Sequence, residues 1–327
     1  MTRKILSLAA VGLSACTIQR WQPSQPVAAD DHMAHMAMAD MAAPNASPRA
    51  GGFAQGTPGL PPSATTAKAR IEASPRHGEW VKLAWSPGSS DSLMAWIVYP
   101  VRSDKAPVVV VVHEIFGLQT WVRGVADQLA ADGYISIAPD LVSRARGGPS
   151  TVELGADSAR RLIASVSVAD KNAGIAAAAS YAMSQPSALH KYGVVGYCWG
   201  GQTSWQHAIN NGVPGFSAAV AYYGTPYMQG SAVNGDSLAK IKVPVMLLSG
   251  TGDARITAAM PAIDSAMKAL GKDYFGRNYE GAIHGFLRAQ DDATPQGQPS
   301  PNGAANLAAT KDAWPRTIEF FRKHLGK

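Results

Sequence analysis

The chain has 327 residues, of which 46% are hydrophobic and 16% are charged, and its formal net charge is +6 at pH 7. The apolar fraction is typical of a globular protein and excludes a wholly disordered chain. Charged residues usually make up about 25% of a protein, so this sparse and scattered positive charge argues against nucleic-acid binding. The two cysteines, Cys16 and Cys198, are too few for a disulfide framework.

The first 16 residues have the form of an export signal. Arg3 and Lys4 precede an apolar run at 5–12, which is shorter than the ~20 apolar residues that span a bilayer. The run ends in Leu-Ser-Ala-Cys, which resembles the bacterial lipoprotein signal, and this resemblance implies a lipid on Cys16. Thr17 follows in place of the aspartate that favours inner-membrane retention. We therefore expect an exported protein of the cell envelope, anchored by lipid alone to the outer membrane and facing the periplasm. The alternative is an ordinary secreted protein with a stray cysteine.

Residues 17–77 are rich in alanine, proline, glycine, serine and methionine and lack a sustained hydrophobic period. Such a composition buries too little apolar area to offset chain entropy, so it predicts a flexible tether. Residues 31–41 contain two histidines and four methionines. Imidazoles and thioethers can bind copper, but no spacing fixes a geometry, and a low-complexity linker is the alternative. We predict no metal site.

Residues 78–327 alternate strand and helix patterns, which predicts one α/β domain with a mostly parallel sheet and helices on both faces. An unbroken valine run at 108–112 is typical of a strand that is covered on both sides. Residues 289–310 predict a long surface loop. The predicted strands are 92–99, 108–112, 134–138, 192–196, 216–222, 243–249 and 273–279. The predicted helical stretches are 120–132, 156–183, 199–210, 257–270 and 311–325.

Residues 196–201 read Gly-Tyr-Cys-Trp-Gly-Gly and lie between a predicted strand and a predicted helix. This is the nucleophile-elbow pattern with cysteine as its central residue, in which glycines permit a tight turn. The positive end of the following helix favours a thiolate at Cys198. The amide of Trp199 can donate to a developing oxyanion. The alternative is a packing turn around an inert buried cysteine.

Two further residues stand where a catalytic acid and base are expected. Asp253 follows the strand predicted at 243–249, and His284 follows the strand predicted at 273–279. The chain order of nucleophile, acid and histidine is that of an α/β-hydrolase. All three loops lie at the carboxyl edge of the sheet, where such sheets bind ligands.

Residues 113–117 read His-Glu-Ile-Phe-Gly and directly follow the valine strand. The first two residues are also found in a metalloprotease helix, but the second histidine of that motif is missing. Together with the elbow, this run resembles the dienelactone hydrolase family (carboxymethylenebutenolidase). The resemblance implies that Cys198, Asp253 and His284 form a triad. It further implies that Glu114 partners the resting thiol and that the amides of Ile115 and Trp199 form the oxyanion hole.

Two arginines match family positions that bind the substrate carboxylate. Arg144 follows Pro-Asp-Leu-Val-Ser, and Arg288 lies four residues after His284. A guanidinium can bind a carboxylate in bidentate fashion. The alternative is that both are solvated loop residues.

The resemblance implies hydrolysis of a lactone or small carboxylate-bearing ester through an acyl-cysteine. We expect a monomer that requires no metal or organic cofactor. Three alternatives remain open. The protein could be a broad envelope carboxylesterase or thioesterase in which the arginines are idle. It could also be a surface-anchored copper binder, or a structural lipoprotein on an inactive hydrolase scaffold.

Overall fold

Strands and helices alternate along the chain of this computed structural model, which describes residues 56–85, 90–150, 155–229, 232–290 and 300–326. The strands are β1 (Gly78–Ala84), β2 (Ser92–Val98), β3 (Ala106–Val112), β4 (Ile135–Pro139), β5 (Ala188–Tyr197), β6 (Phe216–Tyr222), β7 (Met228–Gln229), β8 (Ala232–Val233), β9 (Val245–Gly250) and β10 (Tyr274–Tyr279). The helices are α1 (Ala67–Glu72), α2 (Thr120–Ala131), α3 (Ser143–Arg146), α4 (Ala156–Ala164), α5 (Val168–Met183), α6 (Trp199–Ile209), α7 (Gly235–Ala239), α8 (Ala254–Ala269) and α9 (Gly303–Leu325).

Eight strands form one sheet in the order β1-β2-β4-β3-β5-β6-β9-β10. β2 runs antiparallel to both of its neighbours, and the remaining pairs are parallel. All seven residues of β3 are buried, as are all those of β4 and β9. Such continuous burial requires helices on both faces of the sheet. The predicted α/β class and the mostly parallel sheet are confirmed.

The surface loop predicted for residues 289–310 is wrong in its second half. α9 begins at Gly303, and Asn306, Ala309 and Thr310 are buried. The side chain of Asn306 accepts from the amide of Ile283 and donates to the carbonyl of Ala289. An alanine-rich segment has high helix propensity, and these bonds hold it against the end of the sheet.

The flexible tether predicted to end at residue 77 is also too long. Residues 56–77 contain α1, and Leu60 and Ala67 are buried. Arg76 forms two bonds of 2.9 and 2.7 Å to the buried carboxylate of Asp127 in α2. Composition alone missed this packing because the segment buries few residues and depends on hydrogen bonds to distant side chains.

Cys16, most of the predicted tether and its His- and Met-rich stretch lie outside the described residues. Among the helices of the described part, none combines the length and apolar character that crossing a bilayer requires.

Candidate active site

Cys198 lies in a strained turn between β5 and α6. Its φ of 57° and ψ of −115° are unusual for a residue with a side chain, and it is buried. A Cβ on Gly196 would lie 2.0 Å from the carbonyl oxygen of Gly200. A Cβ on Gly200 would lie 2.3 Å from the carbonyl oxygen of Val112. The turn therefore requires glycine at both positions, as the elbow pattern predicts.

His284 and Asp253 meet directly. The Nδ1 atom of His284 lies 2.6 Å from Oδ2 of Asp253, and since a carboxylate accepts, the imidazole donates from this nitrogen. The other carboxylate oxygen accepts from the amide of Ile256 at 3.2 Å and so caps α8. Two bonds thus fix the carboxylate and leave Nε2 of His284, which is buried, for the reacting side.

Cys198 acts on His284 through charge and a side-chain hydrogen bond. Burial alone would lower the pKa of His284, but the nearby Cys198 and the Asp253 carboxylate raise this pKa to about 10. Burial would likewise raise the pKa of Asp253, but the hydrogen bond and charge of His284 hold it below its usual range. The structure brings the three residues together, with the imidazole between the carboxylate of Asp253 and the side chain of Cys198.

Glu114 is buried near Gly285, and its carboxylate pairs with Arg288. Oε2 of Glu114 lies 3.1 Å from Nε of Arg288. A Cβ on Gly285 would lie 3.7 Å from the Arg288 guanidinium and 3.9 Å from the Glu114 carboxylate, so the pair borders the residue next to His284. The family resemblance implies that Glu114 partners the thiol of Cys198; the structure shows its carboxylate against a guanidinium.

Glu114 and Ile115 lie on the loop after β3. His113 links this loop by hydrogen bonds to the segment after β4. Its Nε2 accepts from the amide of Leu141 at 3.0 Å, so Nδ1 carries the proton and donates to the carbonyl of Glu114 at 2.6 Å. Burial lowers the pKa of His113, which agrees with a neutral ring. His113 had no predicted role, and the available signal was its place directly after the valine strand and before Glu114.

The indole ring of Trp199 contacts a histidine ring and an ammonium group. The His113 ring stacks against it, with centroids 5.4 Å apart and an interplanar angle of 17°. The ammonium of Lys171 lies 4.6 Å from the ring centroid and donates to Gln206 at 3.3 Å. Trp199 is the first residue of α6, so its amide has no acceptor within the helix and is available to a ligand. Ile115, the other residue implied for the oxyanion hole, is buried.

Arg144 is occupied by carboxylates of the protein itself. Its guanidinium lies 2.8 Å from Asp91 and 3.8 Å from Asp170, and it lies over the ring of Trp85. The side chain is half exposed. The role of Arg144 in binding a substrate carboxylate stays a prediction, and a ligand would have to compete with two aspartates.

Tyr223 is a site residue that was not predicted from the sequence. It directly follows β6, has a φ of 40°, and its ring centroid lies 5.0 Å from that of His284. Burial raises the pKa of Tyr223 well above its usual value, and the charge of Glu114 adds to the effect. Its place after the carboxyl end of a strand beside β5 was the available signal.

The sheet order, the single antiparallel strand β2 and the elbow after β5 define an α/β-hydrolase. The acid after β9 and the histidine after β10 complete this arrangement. The sequence profile described as the dienelactone hydrolase family matches residues 93–325. The chain belongs to the dienelactone hydrolase family and is a hydrolase.

Two relatives and one solved structure illustrate the similarity. The "Putative carboxymethylenebutenolidase" of Salmonella typhimurium is 31% identical over 74% of this chain and 86% of its own length. The carboxymethylenebutenolidase of Pseudomonas sp. strain P51 is 30% identical over 70% of this chain and 89% of its own length. The crystal structure of a "Putative Dienelactone Hydrolase" from Klebsiella pneumoniae superposes with a TM-score of 0.61 at 25% identity. It covers 76% of this chain and 99% of that one.

Proposed function

We propose that this hydrolase cleaves a lactone or small carboxylate-bearing ester, with Cys198 as nucleophile and Asp253 and His284 as its partners. The observation that carries the proposal is the partly buried bond of 2.6 Å between His284 and Asp253, at an imidazole whose pKa the adjacent Cys198 raises. The name of the Pseudomonas relative, carboxymethylenebutenolidase, supports the same class of substrate.

The ion pair of Arg288 and Glu114 suggests how substrate starts the reaction. A substrate carboxylate competes for the Arg288 guanidinium, because a guanidinium binds carboxylates in bidentate geometry. Glu114, 3.1 Å from that guanidinium in this structure, then loses its cationic partner in a buried site. An unpaired buried carboxylate is costly, so Glu114 takes the thiol proton of Cys198 and leaves a thiolate.

The thiolate then attacks the carbonyl carbon of the ester, and the carbonyl electron pair moves onto oxygen. The amides of Ile115 and Trp199 stabilise this oxyanion, and each such donor typically contributes about 10²–10³ in rate. His284 gives its proton to the leaving oxygen as the carbon–oxygen bond breaks, which produces an acyl-cysteine. The neutral imidazole then takes a proton from water, the resulting hydroxide attacks the thioester, and the thiolate leaves and regains its proton from Glu114. Side chains and main-chain amides carry every step.

A broad carboxylesterase or thioesterase is the second candidate. One specific observation favours it, since Arg144 already pairs with Asp91 and Asp170. With Arg144 occupied, the site has one fewer cation to select an acidic substrate.

We also propose that the enzyme works as a monomer in the cell envelope, anchored by a lipid on Cys16. The N-terminal sequence pattern supports this location.

The test compares kcat/KM on two p-nitrophenyl esters of similar size, the negatively charged hydrogen succinate and the neutral butyrate. We expect Arg288→Ala to lose about 10- to 100-fold on the charged ester and little on the neutral one, as a charge-assisted bond predicts. Arg144→Ala should lose less, because its aspartate partners already compete for it.

Cys198→Ala is the control for the chemistry, and it should abolish turnover of both esters while the circular dichroism spectrum stays native. Equal losses on both esters in Arg288→Ala would defeat the carboxylate proposal and favour the broad esterase. Unchanged turnover in Cys198→Ala would eliminate the mechanism.

A further inference from the structure

Residues 60–64, which we call the brace, precede α1 and contact the turn that follows His284. The amide of Ala64 donates to the carbonyl of Arg288 at 2.9 Å. The side chain of Gln290 donates to the carbonyl of Pro61 at 2.9 Å. Leu60 and Ser63 are buried, and the side chain of Ala64 is exposed. The brace therefore reaches Arg288 through its main chain.

The other side of the brace packs on α2. Nε1 of Trp121 donates to the carbonyl of Pro62 at 2.9 Å, and both groups are buried. A Cβ on Gly124 would lie 2.6 Å from the ring of Pro62, so the backbone of α2 and this ring approach closely. α2 follows the loop that carries Glu114. The brace thus connects the elements that supply the two members of the Arg288–Glu114 ion pair.

The main chain around Arg288 forms a short turn. The amides of Arg288 and Ala289 both donate to the carbonyl of Gly285, at 2.9 and 3.0 Å. The bond from Ala64 fixes the exit of this turn. The Arg288 side chain starts there and ends 3.1 Å from Glu114. A shift of this exit would move the guanidinium relative to Glu114 and to a bound carboxylate.

We propose that the brace is a positioning element that sets the preference of the enzyme for acidic over neutral esters, by holding Arg288 opposite Glu114. This role of the brace rests on the proposed function, in which Arg288 binds the substrate carboxylate. The brace lies outside residues 93–325, the part matched by the family profile, so the family pattern does not assign it.

Ala64→Pro in the full chain removes the amide that donates to Arg288. The amide of Ala67 bonds to the carbonyl of Ser63 at 3.0 Å, so Ala64 is the first residue of a helical turn, where proline is well tolerated. We expect the ratio of kcat/KM for the charged and neutral p-nitrophenyl esters to fall about 3- to 10-fold, the usual effect of one hydrogen bond. Turnover of the neutral ester should stay unchanged. Ala64→Ser keeps the amide and should keep the wild-type ratio.

Arg288→Ala, measured beside these variants, separates the two proposals. If Arg288→Ala lowers the ratio and Ala64→Pro leaves it at the wild-type value, the brace has no positioning role. If Arg288→Ala leaves the ratio unchanged, the proposed function has failed. If circular dichroism shows that Ala64→Pro does not fold, the same ratio is measured in Gln290→Met. A wild-type ratio in that variant would then show that the brace has no positioning role. Gln290→Met keeps the side-chain volume and removes the donor to Pro61, together with the bond of the same amide to the carbonyl of Leu287.

Discussion

At the scale of single residues, the site depends on a pair of charged side chains that are shielded from solvent. The imidazolium of His284 bonds to Asp253 at 2.6 Å, and both side chains are largely buried. In such surroundings each charge depends on its partner, because little solvent is present to replace it. The free energy of unfolding should therefore depend on the protonation state of this pair.

The pair should stabilise the fold in a defined pH window. The pKa of His284 rises from its ordinary value of 6.5 to about 10 in the fold, so its contribution is complete below about pH 6.5 and is lost as pH rises through 10. Asp253 has a lowered pKa, so its contribution is present above its ordinary value of 3.8 and is lost as pH falls through the lower folded value.

Asp253→Asn keeps the cap of α8 and removes the charge. We expect it to lower the free energy of unfolding by about 3 kcal/mol at pH 6, the typical cost of breaking a buried pair, and by clearly less at pH 10. Urea unfolding followed by tryptophan fluorescence measures both values. Asp236→Asn, at an exposed position, is the control. A penalty that is the same at pH 6 and pH 10 would contradict the assigned ion pair.

At the scale of elements, the turn around Cys198 packs directly against the backbone of a neighbouring strand. Gly200 lies against β3, because a Cβ there would meet the carbonyl oxygens of Val112 and His113 at 2.3 and 2.6 Å. Backbone atoms of a central strand cannot move aside without disturbing the sheet. The close approach at Gly200 thus fixes the start of α6 against the end of β3.

Gly200→Ala should therefore destabilise the protein by about 3 kcal/mol or more, at the upper end of overpacking effects. Gly235→Ala in α7 is the matched control, since a Cβ on Gly235 would have no heavy atom of the described residues within 4 Å, and it should be neutral or slightly stabilising. Thermal unfolding of both variants gives the comparison. Equal melting temperatures would show that the turn is looser than the structure has it.

At the scale of the whole molecule, the parallel sheet collects residues that are far apart in the chain. Cys198, Asp253 and His284 could be predicted because each follows a recognisable strand, and parallel strands place their carboxyl ends at one edge. The pairing of Glu114 with Arg288 could not be predicted, because the direction of two long side chains depends on the packed turn at Gly285.

The packing of residues 56–77 also escaped prediction. Their composition is that of a linker, and their attachment depends on main-chain carbonyls that accept from Trp121 and Gln290. Hydrophobic periodicity reports side-chain burial and carries no signal for such bonds. The start of α9 was missed for a related reason, since the distant partners of Asn306 fix it.

The most direct test of the mechanism is mass spectrometry of enzyme quenched in acid during turnover of p-nitrophenyl hydrogen succinate. We expect one succinyl group on the peptide that contains Cys198, with more of it in His284→Asn, which cannot activate water, and none in Cys198→Ala. Continued hydrolysis with that peptide unmodified at every quench time would contradict the acyl-cysteine and, with it, the proposed role of Cys198.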